Sequence, residues 1–196
     1  MNDGETTGVE HLLEQPEVAA WLDAPLTSPW PAHNRLLTLR HGLKLLVRPL
    51  ERGDERTVAD VFEQLGEKSR RARFLAVKPR LGEKELRWLA AVDARHHALV
   101  AYVHGDARPV AIARLVRAGS SAEVGFEVAD RYQRRGIGAA LTAELLKDAR
   151  AAGIREITAV ISTENDAALG LLRRLLSGLH VEHGGPELLV WAPLTA

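Results

Sequence analysis

The chain has 196 residues, enough for one domain with a full core plus an appendage and too few for two equal domains. Twenty-six basic side chains balance twenty-six acidic ones, so no overall field favours nucleic acid or an anionic membrane. There is no cysteine, which removes disulfides, thiolate metal sites and a cysteine nucleophile together.

The first 34 residues carry six acidic side chains and no Lys or Arg, and "APLTSPWPAH" is rich in Pro and small residues. Residues 1–40 therefore read as an N-terminal acidic extension and linker, with one helix over Val9 to Leu22, ahead of a domain over 41–196. The N-terminus lacks the basic residue and apolar run of a signal peptide, and no window approaches the roughly 20 apolar residues of a membrane span, so a cytoplasmic chain without membrane contact is expected.

From Leu43 the pattern becomes regular. "LKLLVRPL" predicts a strand; Val58, Val61, Phe62 and Leu65 then recur at helical spacing between Asp54, an N-cap candidate, and Gly66, a stop. "SRRARF" and "EKELRWLAAV" predict two more helical pieces. "HALVAYVHG", "RPVAIARLVRAG" and "AEVGFEVAD" are apolar runs separated by Gly, Asp and Pro signals, as in an antiparallel meander. A helix over Gly136 to Ala152, the strand "REITAVIS", a helix over "NDAALGLLRRLL" and the strands "LHVEH" and "ELLVWAP" complete the order. An α+β domain with helices flanking one mixed, mostly antiparallel sheet accommodates that order.

The segment "DRYQRRGIGAAL" lies between a strand and a long helix. A helix start leaves backbone N–H groups unpaired at the positive end of the helix dipole, which favours phosphate. Gly136 and Gly138 let the main chain approach such a ligand, and Arg134 and Arg135 add charge at its rim. The spacing is neither the dinucleotide-binding Gly-x-Gly-x-x-Gly nor a Walker motif.

Val128, Gln133, Gly136, Gly138 and Ala139 form V-x-x-x-x-Q-x-x-G-x-G-A, which resembles the acyl-CoA signature of the GCN5-related N-acetyltransferases, the GNAT superfamily. The element order over about Leu43 to Val190 fits that fold. "SRRARF", "HALVAYVHG", "AEVGFEV" and Asn165 before a Leu-rich helix are similar, more narrowly, to bacterial Pat-type protein lysine acetyltransferases. The resemblance implies acetyl-CoA as cosubstrate and a protein lysine or a small amine as acceptor. It implies that the amides of Arg134 to Ala139 hold the cofactor diphosphate and that Gln133 belongs to the same loop. The strand ending "VGFEV" would pair with the pantetheine arm, and a backbone N–H of the Phe126 to Val128 region would hold the thioester oxygen.

Glu123, Gly125 and Glu127 alternate with Val124, Phe126 and Val128, so one strand face is polar and one is core. Two glutamates on a solvated strand face are one reading. The resemblance supplies the other, with Glu123 as the general base that frees an amine of ordinary pKa near 10.4 for attack. Gly125 would leave room between the carboxylates for the substrate. Glu127, nearer the diphosphate loop, would repel the cofactor unless turned away. Asn165 is either a plain helix cap or a group that also reaches the cofactor or the amine. Where many relatives place a tyrosine that protonates the leaving thiolate, this chain has Leu172. The arginines of "SRRARF" fit a solvated helix face or a lip toward an acidic protein surface. Eight histidines, with His96 and His97 adjacent, show no metal-binding spacing, and no metal is expected.

Overall fold

The computed structural model describes residues 29–195, and the helix expected at Val9 to Leu22 lies outside them. Strands β1 (Arg35–Thr38) and β2 (Lys44–Pro49) are followed by helices α1 (Glu55–Glu63), α2 (Glu67–Phe74) and α3 (Glu83–Leu89). Then come β3 (His96–Val103), β4 (Pro109–Ala118), β5 (Ser121–Val128), α4 (Ile137–Ala151), β6 (Glu156–Ser162), α5 (Asp166–Leu175), β7 (His180–Gly184) and β8 (Glu187–Pro193). One sheet of order β1-β2-β3-β4-β5-β6-β8-β7 results, antiparallel throughout except where α4 carries the chain from β5 to a parallel β6.

Both faces of the central strands are covered, which is why β3 and β4 read as continuous apolar runs rather than alternating ones. On one face Leu99, Ala101, Ala113, Leu115 and Val124 pack against Leu141, Leu145 and Leu146 of α4 and Leu171 and Leu172 of α5. On the other, Ala98, Val100 and Ile112 meet Val58 and Val61 of α1 and Leu89 of α3. Each fully buried leucine contributes about 1.5–3 kcal/mol.

The sheet begins at Arg35, inside the stretch read as an extension, and buried Trp30 precedes it. A buried polar group anchors this part. Asp148 of α4 accepts hydrogen bonds from Arg35 at 2.6 Å and from His97 at 2.8 Å, and the Trp30 ring stacks on His97 at 4.9 Å. β1 is short and exposes Leu36, so its sequence carries neither a long run nor a clean alternation.

Two punctuation residues act differently from their sequence reading. Asp54 occupies the N-cap position of α1, yet its carboxylate is taken by Arg48, Thr57 and the Glu51 amide rather than by helix N–H groups. Gly66 opens α2, and its N–H donates to Asp130 beyond β5 at 3.0 Å. A β-carbon at Gly66 would lie 2.7 Å from that carboxylate oxygen.

Candidate active site

Pairing between β5 and β6 is confined to Ser121, Ala122 and Glu123 against Glu156, Ile157 and Thr158. Beyond Glu123 the two strands part. The Ala129 N–H donates to Val110 at 2.8 Å, which fixes the phase of the antiparallel β4–β5 ladder. Alternation then turns the main-chain groups of Val124, Phe126 and Val128 away from β4 and toward β6. A V-shaped opening edged by free strand amides is the outcome, suited to an extended amide-bearing ligand.

At the wide end of this opening lies the loop before α4. Arg134 and Gly136 both have left-handed backbone, with φ of 61° and 84°, and Gly136 is the N-cap of α4. Among the described residues the N–H groups of Arg134 through Ala139 donate to nothing. They form a nest of donors at the positive end of a 15-residue helix, which can bind an anion such as a diphosphate. Arg134 and Arg135 have no acidic partner among the described residues, and Arg135 rests over the Tyr132 ring at 5.3 Å. Gln133 braces the loop: its amide donates to the Val128 carbonyl, to Asp130 and to Ser69 of α2 at 3.0–3.1 Å. A β-carbon at Gly138 would stand 3.2 Å from Val128 and 3.4 Å from Leu171, so this glycine lets α4 pack closely on β5 and α5.

The two glutamates of β5 part company. Glu127 is buried and held by Arg73 of α2 at 2.6 Å and by Arg114 of β4 at 3.5 Å. It is turned to the α2 side, off the diphosphate loop. Arg114 donates further to the Leu89 carbonyl, and burial pushes its pKa down to about 10 against the pull of Glu127. Glu123 sits where the paired segment ends. Its carboxylate accepts no hydrogen bond among the described residues and remains open to solvent. The surrounding walls still strip part of its hydration, which raises its pKa above the usual glutamate value, and the Arg73 charge pulls it back. The space expected above Gly125 is filled: a β-carbon there would lie 2.9 Å from Arg73 Nη2. "SRRARF" therefore contributes one half-buried ion-pairing arginine, while Arg71 is exposed.

The profile of the "Acetyltransferase (GNAT) family" matches residues 62–176, more than half of the chain. The chain belongs to the GNAT acetyltransferase family. Among its relatives, the acetyltransferase Pat of Mycolicibacterium smegmatis is 36% identical over 142 residues, which are 70% of this chain and 42% of that protein. The acetyltransferase PA5475 of Pseudomonas aeruginosa is 31% identical over 66% of this chain and 73% of its own length. The solved GNAT domain of S. lividans PAT superposes with a TM-score of 0.75 at 26% identity, over 84% of this chain and 99% of that domain. A cAMP-binding acyltransferase from Mycobacterium smegmatis superposes at 0.60 with 27% identity, over 84% of this chain and 48% of its own. This GNAT chain thus spans less than half of either mycobacterial protein.

In this GNAT chain Asn165 caps α5, its Oδ1 accepting from the Ala168 N–H at 3.1 Å. Leu172, in place of the tyrosine of many GNAT members, is fully buried in the core beneath α5 and offers no proton. Among the described residues no group of three His, Asp or Glu could hold a metal ion, and no helix is long and apolar enough to cross a membrane. Sequence reasoning missed Arg73 and Arg114 as a pair around Glu127. A lone arginine within the apolar run "PVAIARLV" was the available signal, because a charge on a strand covered on both faces requires a partner.

Proposed function

We propose that this chain is an acetyl-CoA-dependent N-acetyltransferase whose acceptor is a protein lysine, with Glu123 as general base. The observation that carries the proposal is the position of Glu123, a solvent-open carboxylate with a raised pKa at the point where β5 and β6 part. The similarity to Pat supports lysine as the acceptor. The free amides of Arg134 to Ala139 would hold the diphosphate of coenzyme A, with Arg134 and Arg135 at its rim. Its pantetheine arm would lie along Val124 to Val128, replacing the strand partner that β6 withdraws.

A lysine ammonium reaching Glu123, directly or through one water, gives up a proton to the carboxylate. The neutral amine attacks the acetyl carbonyl carbon, and the developing oxyanion meets a strand N–H of Phe126 or Val128. Collapse expels the coenzyme A thiolate. The nitrogen, cationic after attack, gives its surplus proton to water as the amide forms, and the thiolate, with an ordinary thiol pKa near 8.5, takes a proton from that water, which removes the need for a tyrosine at position 172. Arg73 and Arg114 neutralise Glu127, so one of the two strand carboxylates is engaged and the other is free to accept a proton.

Isotope-labelled acetyl-CoA added with the protein to a lysate, read by mass spectrometry, tests the acceptor. Label on a few specific lysines is the expected result. Acetyl-CoA binding without protein label would move the acceptor to a small amine or reduce the fold to a coenzyme-binding module, and no binding would refute the reading of the loop.

A further inference from the structure

We propose that Arg73 is a positioning residue for the reaction: clamped by Glu127 above Gly125, its guanidinium places a positive charge between the two strand carboxylates that favours the charged form of Glu123. The inference rests on the role assigned to Glu123 above and adds the residue that biases its charge.

Glu123, Gly125 and Glu127 share one face of β5, and neighbours two apart on a strand are about 7 Å distant. Gly125 lies between the carboxylates and carries no side chain. Arg73 descends from α2 into that gap, with Nη2, Cζ and Nη1 at 2.9, 3.1 and 3.5 Å from where a β-carbon would be. Its Nε bonds Glu127 at 2.6 Å, which fixes the guanidinium on the strand. Its Nε therefore serves Glu127, while the rest of the guanidinium lies over Gly125, the residue between the two carboxylates.

The other charged groups around Glu123 do not substitute for it. Arg114, across from Gly125 on β4, is committed to Glu127 and to the Leu89 carbonyl. Arg117 of β4 donates to the Gly119 and Ala152 carbonyls. Arg70 of α2 donates to the Pro79 carbonyl and lies over the Phe62 ring. Glu127 is neutralised by its two arginines, and Glu156 of β6 stands opposite Ser121 rather than Glu123. Partial dehydration favours protonation of Glu123, and Arg73 is the cation that opposes it. A protonated glutamate cannot accept the ammonium proton, so the clamp shifts the pH at which Glu123 becomes available as a base.

The test is an NMR titration of protein labelled at glutamate 13Cδ, with Glu123→Gln assigning the Glu123 signal. Arg73→Gln keeps a donor for Glu127 and removes the charge; Arg73→Lys keeps the charge. We expect a three- to tenfold rise in the proton affinity of Glu123 in R73Q, at or just under the low end of the roughly ten- to thousandfold effect of an adjacent opposite charge because Glu123 is open to solvent, and a value near wild type in R73K. The acid limb of kcat/KM for acetyl transfer to a synthetic lysine peptide should move to higher pH by the same factor. An unchanged Glu123 midpoint in folded R73Q overturns the inference and leaves Arg73 a structural clamp. Should R73Q fail to fold, Gly125→Ala displaces the guanidinium without altering any charge, and its midpoint is read in the same way. Absence of acetyl transfer by the wild type would defeat the proposed function, while the NMR midpoint would still decide the effect of Arg73 on Glu123.

Discussion

Glu127→Ala removes the acceptor from the most enclosed ion cluster near the site. Glu127 is 8% exposed and faces two guanidiniums, Arg73 at 2.6 Å and Arg114 at 3.5 Å. Truncation leaves Arg114 buried and repelled by Arg73, with only the Leu89 carbonyl to receive it. Losing one partner of a buried pair costs about 3–5 kcal/mol. Arg73 keeps some solvent access, so the lower end, about 3 kcal/mol, is expected. At about 2–4 °C per kcal/mol for a chain of this size, Tm should fall by about 6–12 °C. Denaturant unfolding with the slope held as a control measures the loss directly. Arg114→Met with Glu127→Leu should restore part of it, because the fully buried charge goes with its partner and the Arg73 left behind keeps some solvent access. A loss below about 1 kcal/mol for E127A with unchanged slope would refute the reasoning.

The raised pKa of Glu123 gives its neutral variant a pH signature. A carboxyl whose folded pKa lies above its unfolded one binds more protons in the native state, so it costs stability as pH rises through that window and at every pH above it. Glu123→Gln should therefore be more stable than wild type at pH 7 and lose that advantage below the ordinary glutamate value, as thermal melts across pH would show. Gly136→Ala should cost about 1–2 kcal/mol, because φ of 84° is unfavourable for any β-carbon, while Gly138→Val should cost about 1–3 kcal/mol by wedging α4 from Val128 and Leu171. Thermal melts give both losses, and calorimetric titration should show weaker acetyl-CoA binding in each. Asn165→Ala should lose about 1 kcal/mol with the α5 cap, whereas Asn165→Asp should keep the stability. Acetyl-transfer rates of the two variants then separate a cap from a contact to substrate.

Much of the sheet was legible because its strands are long, apolar and bounded by glycines with positive φ, such as Gly119, Gly153 and Gly185. α4 and α5 were legible from their leucine spacing and from Gly136 and Asn165 at their starts. β1 was not, since four residues at a sheet edge with Leu36 exposed carry too little pattern. The glycines and arginines of the loop before α4 were visible as a motif, but the side of β5 on which its amides lie emerged only from ladder register. The arrangement around Gly125 was the least legible feature. Arg73 and Glu127 are 54 residues apart, and nothing local in "SRRARF" says which arginine turns inward. Helix α2 is seated by Gly66 on Asp130 and Ser69 on Gln133, contacts that exist only after the β5–α4 loop is in place.

Acetyl transfer to a synthetic lysine peptide, followed across pH for wild type and Glu123→Gln with acetyl-CoA affinity measured in parallel, decides whether Glu123 is the base. E123Q should lose at least about a hundredfold in kcat/KM and the acid limb of the profile, with acetyl-CoA affinity changed less than about twofold. Full activity in E123Q, or a loss explained by failure to bind acetyl-CoA, would contradict that role.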